Sequence, residues 1–112
     1  NEAVTVPRSV YTNATVAPIT TEVSVQSLYI DTQGNPVIVI FTCRHTYTVT
    51  FRILDPGGTV IYSGVSGDSS AEYKNFAVSC TGAVSGVYTV YASAASSAAV
   101  SQRGLVLLGA KR

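Results

Sequence analysis

Tryptophan and methionine are absent, histidine occurs once, and only 12% of the residues carry charge, about half the ~25% of an ordinary globular chain. Each scarcity removes a class of function. Seven basic and six acidic residues leave a net charge of +1, so no basic stripe exists to neutralise phosphates, and nucleic acid is not an expected partner. The longest apolar run, Val37 to Phe41, is far short of the ~20 residues a membrane helix needs. Nucleophilic catalysis requires a base, a nucleophile and a group that orients the base. His45, the one imidazole, has Arg44 and Thr46 beside it and is read as a residue at the mouth of a hairpin.

The six carboxylates Glu2, Glu22, Asp31, Asp55, Asp68 and Glu72 are scattered along the chain. None form the flanking pair of a glycosidase, and Asp31 and Asp55 sit in turn sequences where their side chains bond backbone amides. Asp68 with Ser69 and Ser70 offers one carboxylate, whereas calcium takes six to eight oxygens, several of them carboxylates. No nucleophile-elbow or phosphate-cradling sequence appears. The expectation is a protein that is not an enzyme, with no cofactor, no metal and no small-molecule substrate.

What the chain has in quantity is alternation. Tyr47, Val49, Phe51 and Ile53 share one parity, and Thr46, Thr48, Thr50 and Arg52 the other, which is the period of a half-buried strand. Asp55-Pro56-Gly57-Gly58 turns the chain, and "TVIYSG" carries the alternation back. "VIVIFTC" is apolar on both parities and predicts a central strand covered on both faces. The run from Ile19 to Ile30 slips phase near Gln26-Ser27, as a bulge would make it do. Strands are also expected around Glu72–Cys80, at "VYTVYAS" and at "AVSQRGLVLL". Roughly seven or eight short strands with turns between them predict an all-β sandwich. Its core should contain Val39, Phe41, Val49, Phe51, Phe76, Val78, Tyr88 and Val90. Tyr62 and Tyr88 point inward on parity, leaving Tyr73 and Tyr91 as outward rings that could stack on a sugar.

Cys43 and Cys80 each end an alternating run on its apolar parity. An even cysteine count in a strand-rich, polar chain fits an oxidising compartment and one bridge. Two buried free thiols, or a bridge between subunits, are the alternatives. Asn13-Ala14-Thr15 is an N-glycosylation sequon.

From about Pro36 to Leu108 the chain resembles the immunoglobulin-like domains of secreted and surface proteins of prokaryotes. The resemblance rests on a strand ending in Asp55-x-x-Gly58, the short return strand after it, and Gly86-x-Tyr88-x-Val90. It implies an immunoglobulin-like or jelly-roll sandwich with Tyr88 as a corner tyrosine. Residues 1–18 precede this body (19–112) and end at Pro18. Val4, Val6, Val10 and Val16 share a parity there, and no turn pairs the segment back on itself. Such an arm either closes its own sheet or adds a strand to another subunit. It resembles the N-terminal extensions of donor-strand filament subunits, in which head-to-tail exchange does not close. The functional expectation is an extracellular, self-assembling structural subunit, with Val4, Val6, Val10 and Val16 as its interface. An adhesin or carbohydrate-binding module and a viral or phage coat protein are the alternatives.

Overall fold

The computed structural model describes the chain apart from residues 1–6, 33, 68, 81–83, 95–96 and 110–112, and apart from the side chains of residues 69–73 and 80. The described residues form nine strands and no helix: β1 (Arg8–Thr12), β2 (Val16–Ile19), β3 (Val23–Ile30), β4 (Val37–His45), β5 (Val49–Leu54), β6 (Val60–Ser66), β7 (Ser69–Cys80), β8 (Gly86–Ser93) and β9 (Ala98–Gly109). One sheet has the order β1-β9-β4-β7, with β2 also on β9, and the other has the order β3-β8-β5-β6. Every pairing is antiparallel. Taking β1 and β2 as one interrupted edge strand gives two four-stranded layers joined mostly by crossings between them, which is the jelly-roll form of the sandwich.

The alternating parities meet between the layers. Val10, Leu105, Phe41 and Phe76 form one cross-strand row of the first sheet, and Leu107, Val39 and Val78 form the next. Ala92 opposes Phe51, and Val90 opposes Ile53, on the second sheet. Phe51 sits 5.8 Å from the Phe41 ring and 4.9 Å from Phe76. Val39, Phe41, Val49, Phe51, Tyr88 and Val90 are fully buried, whereas Phe76 and Val78 are only partly so.

Local chemistry fixes the connections. Asp55 Oδ1 accepts from the amides of Gly57 and Thr59 at 2.9 Å each, and Gly58 takes φ 87°. The tip of this turn lies against Gly86, where an added Cβ would be 2.6 Å from Pro56 Cβ. Tyr88 Oη donates to Val84 O at 2.9 Å, the upstream backbone bond of a corner tyrosine. The phase slip in β3 is a bulge between Ser24 and Gln26, one residue earlier than the sequence suggests.

Three expectations change. Tyr47 does not continue the inward parity of β5, because it takes φ 60° before the strand begins and is 53% exposed. β4 is central in its sheet but covered on one face only; Ile38 and Ile40 on the other face are half-buried by their cross-strand neighbours Leu108 and Val106. The third change is at the N-terminus. β1 and β2 pair with β9 of the same chain, and Val10 and Val16 pack against its core. The expectation set Val10 and Val16 in an interface with another subunit, and β2 extends to Ile19, one residue past the expected end of the arm. The pairing is favoured because β9 offers a twelve-residue strand whose second side would otherwise be an open edge. Val4 and Val6 lie outside the described residues.

Replacing Phe51 with Ala removes the ring that joins the two layers, and the expected loss of stability in urea unfolding is about 3–5 kcal/mol.

Candidate assembly edge

A two-layer sandwich has two flanks, and here they are closed by different means. On the first flank, β1 and β2 lie above β3. Gln26, placed by the β3 bulge, donates from Nε2 to Thr12 Oγ1 at 3.2 Å and to Arg103 O at 3.0 Å. The Arg103 guanidinium donates to Ala14 O at 3.0 and 3.2 Å, and also to Val25 O. Arg103 reaches these acceptors because β9 carries its own bulge, marked by the register shift opposite Thr42 and Arg44 and by Gln102 at φ 50°. The Gln102 Oε1 is buried without a donor among the described residues. Hydrogen bonds thus cross from sheet to sheet on this flank.

On the second flank β7 lies above β6, and apolar contact replaces the clamp. Among the described residues β7 pairs with β4 on one side only. Its Phe76 and Val78 stay half-buried although their direct partners Phe41 and Val39 are at 0% exposure. Across the gap, β6 presents Gly64 at this height, and the Tyr62 side chain lies over it, with Oη 2.6 Å from where a Cβ would be. The Tyr62 ring is 5.6 Å from Phe76. Lys74 shares a face of β7 with Phe76 and Val78 by alternation, opposite Cys43.

At one end of this flank, His45 closes β4. Its Nδ1–H donates to Tyr47 O at 2.9 Å, and the Ser66 hydroxyl lies 2.7 Å from Nε2. A serine on an imidazole is the start of a nucleophilic pair, but Nδ1 is held by a backbone carbonyl rather than a carboxylate. Both residues are buried, with the ring edge-on to Phe51 at 5.5 Å. The contacts describe a pin between β4 and β6.

The cysteine bridge within one chain is not formed. Cys43 is a free, buried thiol, and Cys80 stands opposite Val37. Six residues of β4 separate the two positions, about 20 Å at ~3.3 Å per residue, against a Cα separation below ~7 Å in a disulfide. Sequence parity placed both on one face but could not supply the register. Asn13 is exposed between β1 and β2, with the Tyr11 hydroxyl 3.4 Å from Oδ1. Asp68 and the Tyr73 side chain lie outside the described residues. Tyr91 is half-buried on the outer face of the second sheet, in one row with Ser24 and Arg52. Arg52 donates to both Glu22 oxygens there, at 2.7 and 2.5 Å, and this holds the Glu22 carboxyl below its usual range. Among the described residues no group of three metal-ligating side chains occurs, and no helix is long and apolar enough to cross a membrane.

No family model matches the chain, and no curated protein matches it. Solved structures do. A chain described under "Bacillus endospore appendages form a novel family of disulfide-linked pili" aligns with TM-score 0.61 and 14% identity over 96% of this chain and 88% of that one. The CBM36-1 domain of a multidomain xylanase from the hindgut metagenome of Trinervitermes trinervoides aligns with TM-score 0.54 and 10% identity over 95% and 99%. A VP2 protein of infectious bursal disease virus in derived T=1 particles aligns with TM-score 0.51 and 10% identity over 92% of this chain and 32% of that one. At these identities the likeness is one of fold: a β-sandwich found in surface appendages, binding modules and viral particles.

Burial pushes the Cys43 thiol up to about 12 from 9.0. The folded state keeps its proton where the unfolded state loses it, so the stability this contributes is complete below pH 9 and is lost as the pH rises towards 12. The expected slope is up to about 1.4 kcal/mol per pH unit in that window, read as the difference between the wild type and Cys43→Ala in alkaline urea titrations. Alkylation of native protein should leave Cys43 unmodified until denaturant is added.

Proposed function

We propose that the chain is a non-enzymatic structural subunit of an extracellular filament or surface assembly, and that it joins copies of itself by adding an N-terminal β-strand. The observation that carries this reading is the outer edge of β7, unpaired among the described residues, where inward-facing Phe76 and Val78 are only partly buried beside a fully buried core. An exposed edge over an incompletely covered core is an aggregation hazard unless something pairs with it. A strand from another copy would supply both the main-chain bonds and the missing apolar cover. With residues 8–19 committed to their own sheet, the donor is narrowed to residues 1–6, whose Val4 and Val6 alternate as a donor strand requires. Low charge and a surface rich in Ser and Thr support an extracellular assembly; the cysteines no longer add to that argument. The pilus and viral-particle neighbours support the reading only in sharing the sandwich.

Deletion of residues 1–6 should leave a folded monomer with an unchanged β-type circular dichroism spectrum, while the full chain sediments as polymer and shows particles or filaments by negative-stain microscopy. Polymer formed normally by the truncated chain, or a full chain that stays monomeric at high concentration, would contradict the proposal.

A second reading, a carbohydrate-binding module, is favoured by the outer face of the β3-β8-β5-β6 sheet. Tyr29 (48% exposed) pairs with Val87 (47%) there, and Tyr91 lies further along β8. On that reading, monomeric protein is retained by insoluble polysaccharide, and Tyr29→Ala weakens retention several-fold without loss of stability.

A further inference from the structure

The strand-addition reading leaves open where the strand goes, and the pattern of β7 identifies the place. Lys74, Phe76 and Val78 stand two residues apart on one face of β7, facing the gap to β6. Among the described residues each has a strand neighbour on one side only: Cys43, Phe41 and Val39 of β4, all fully buried. The N-terminal segment carries Glu2, Val4 and Val6 at the same spacing. We propose that residues 1–6 of one copy lie parallel to β7 of another copy, with Glu2 beside Lys74, Val4 beside Phe76 and Val6 beside Val78. This rests on the strand-addition reading and deepens it.

Charge complementarity selects the direction. Laid antiparallel with the valines over the same two side chains, the segment would bring Glu2 beside Cys80, whereas the parallel arrangement brings the carboxylate to a cation. Lys74 forms no ion pair among the described residues. The two valines then meet the half-buried Phe76 and Val78, and Tyr62 over Gly64 provides the opposite wall.

The occupant has to be a second copy. Arg8 and Val78 belong to one cross-strand row, Arg8–Leu107–Val39–Val78. Three strand spacings separate them, about 14 Å at ~4.8 Å each. Val6 is two residues from Arg8, a reach of about 7 Å at most. A chain therefore cannot place its own Val6 beside its own Val78. Donor and acceptor sit on opposite edges of the same sheet, so the contact is heterologous and propagates instead of closing as a two-fold pair.

The test is a charge exchange on the full chain, with assembly measured by sedimentation at low ionic strength and folding by circular dichroism. Glu2→Lys and Lys74→Glu should each raise the concentration needed for polymer at least about tenfold, because like charges would face each other. The double variant should return towards the wild-type value, a rescue that a merely structural role for either residue would not produce. Single variants that assemble normally, or weakened singles without rescue in the double, would overturn this acceptor site; the strand-addition reading would stand if deletion of residues 1–6 still abolished polymer. A wild-type chain that stays monomeric in the same buffer would overturn the strand-addition reading itself.

Discussion

The contact of Phe51 with both Phe41 and Phe76 is the interaction on which the rest of the molecule depends. It brings one ring from the β3-β8-β5-β6 sheet against two from the other sheet, and so sets the separation of the layers. Phe41 stands on a central strand and is closed in on every side. Phe76 stands on the edge strand and is not. The same aromatic cluster is therefore both the centre of the core and the place where the core reaches the surface.

The two flanks express that asymmetry. Where β1 and β2 cover β3, two bulges turn Gln26 and Arg103 into a hydrogen-bonded clamp that spends polar groups to shut the sandwich. Where β7 covers β6, the closure is Tyr62 folded over a glycine onto Phe76, with His45 and Ser66 pinning one end. On the second flank the gap is apolar, and the outer backbone edge of β7 is unpaired among the described residues.

Much of this was legible in the sequence, in proportion to how local the cause was. The period of two along Val49–Ile53 gave a strand and its inward face, because side-chain direction follows from the pleat alone, whereas Val37–Cys43, apolar on both parities, gave a strand but not which of its faces is covered. The Asp55 turn and the Tyr88 corner were readable because each is closed by residues within a few positions. The pairing of β1 with β9, whose partners are almost a hundred residues apart, was not: an alternating arm fits any open edge, its own included. The cysteines failed for a related reason. Parity says which face a residue takes, and only register says how far along the strand it lies. The phase slip near Gln26 announced the β3 bulge, but the partners of Gln26 and Arg103 gave no signal, since they depend on a second bulge in β9 that brings the two residues onto facing strands. Gly64 and Tyr62, two residues apart, were read as a plain strand, and the half-open flank they guard appears only in the assembled layers.

The central claim is that the outer edge of β7 is completed by a strand from another copy, and amide hydrogen exchange of the assembled protein tests it most directly. In an antiparallel pair, alternate amides of β7 face away from β4. The account predicts that those outward amides between Lys74 and Ser79 exchange slowly in polymer and rapidly in chains lacking residues 1–6, while the amides of β4 and β9 are equally protected in both. Equal, rapid exchange of the β7 edge in polymer and in truncated chains would contradict it.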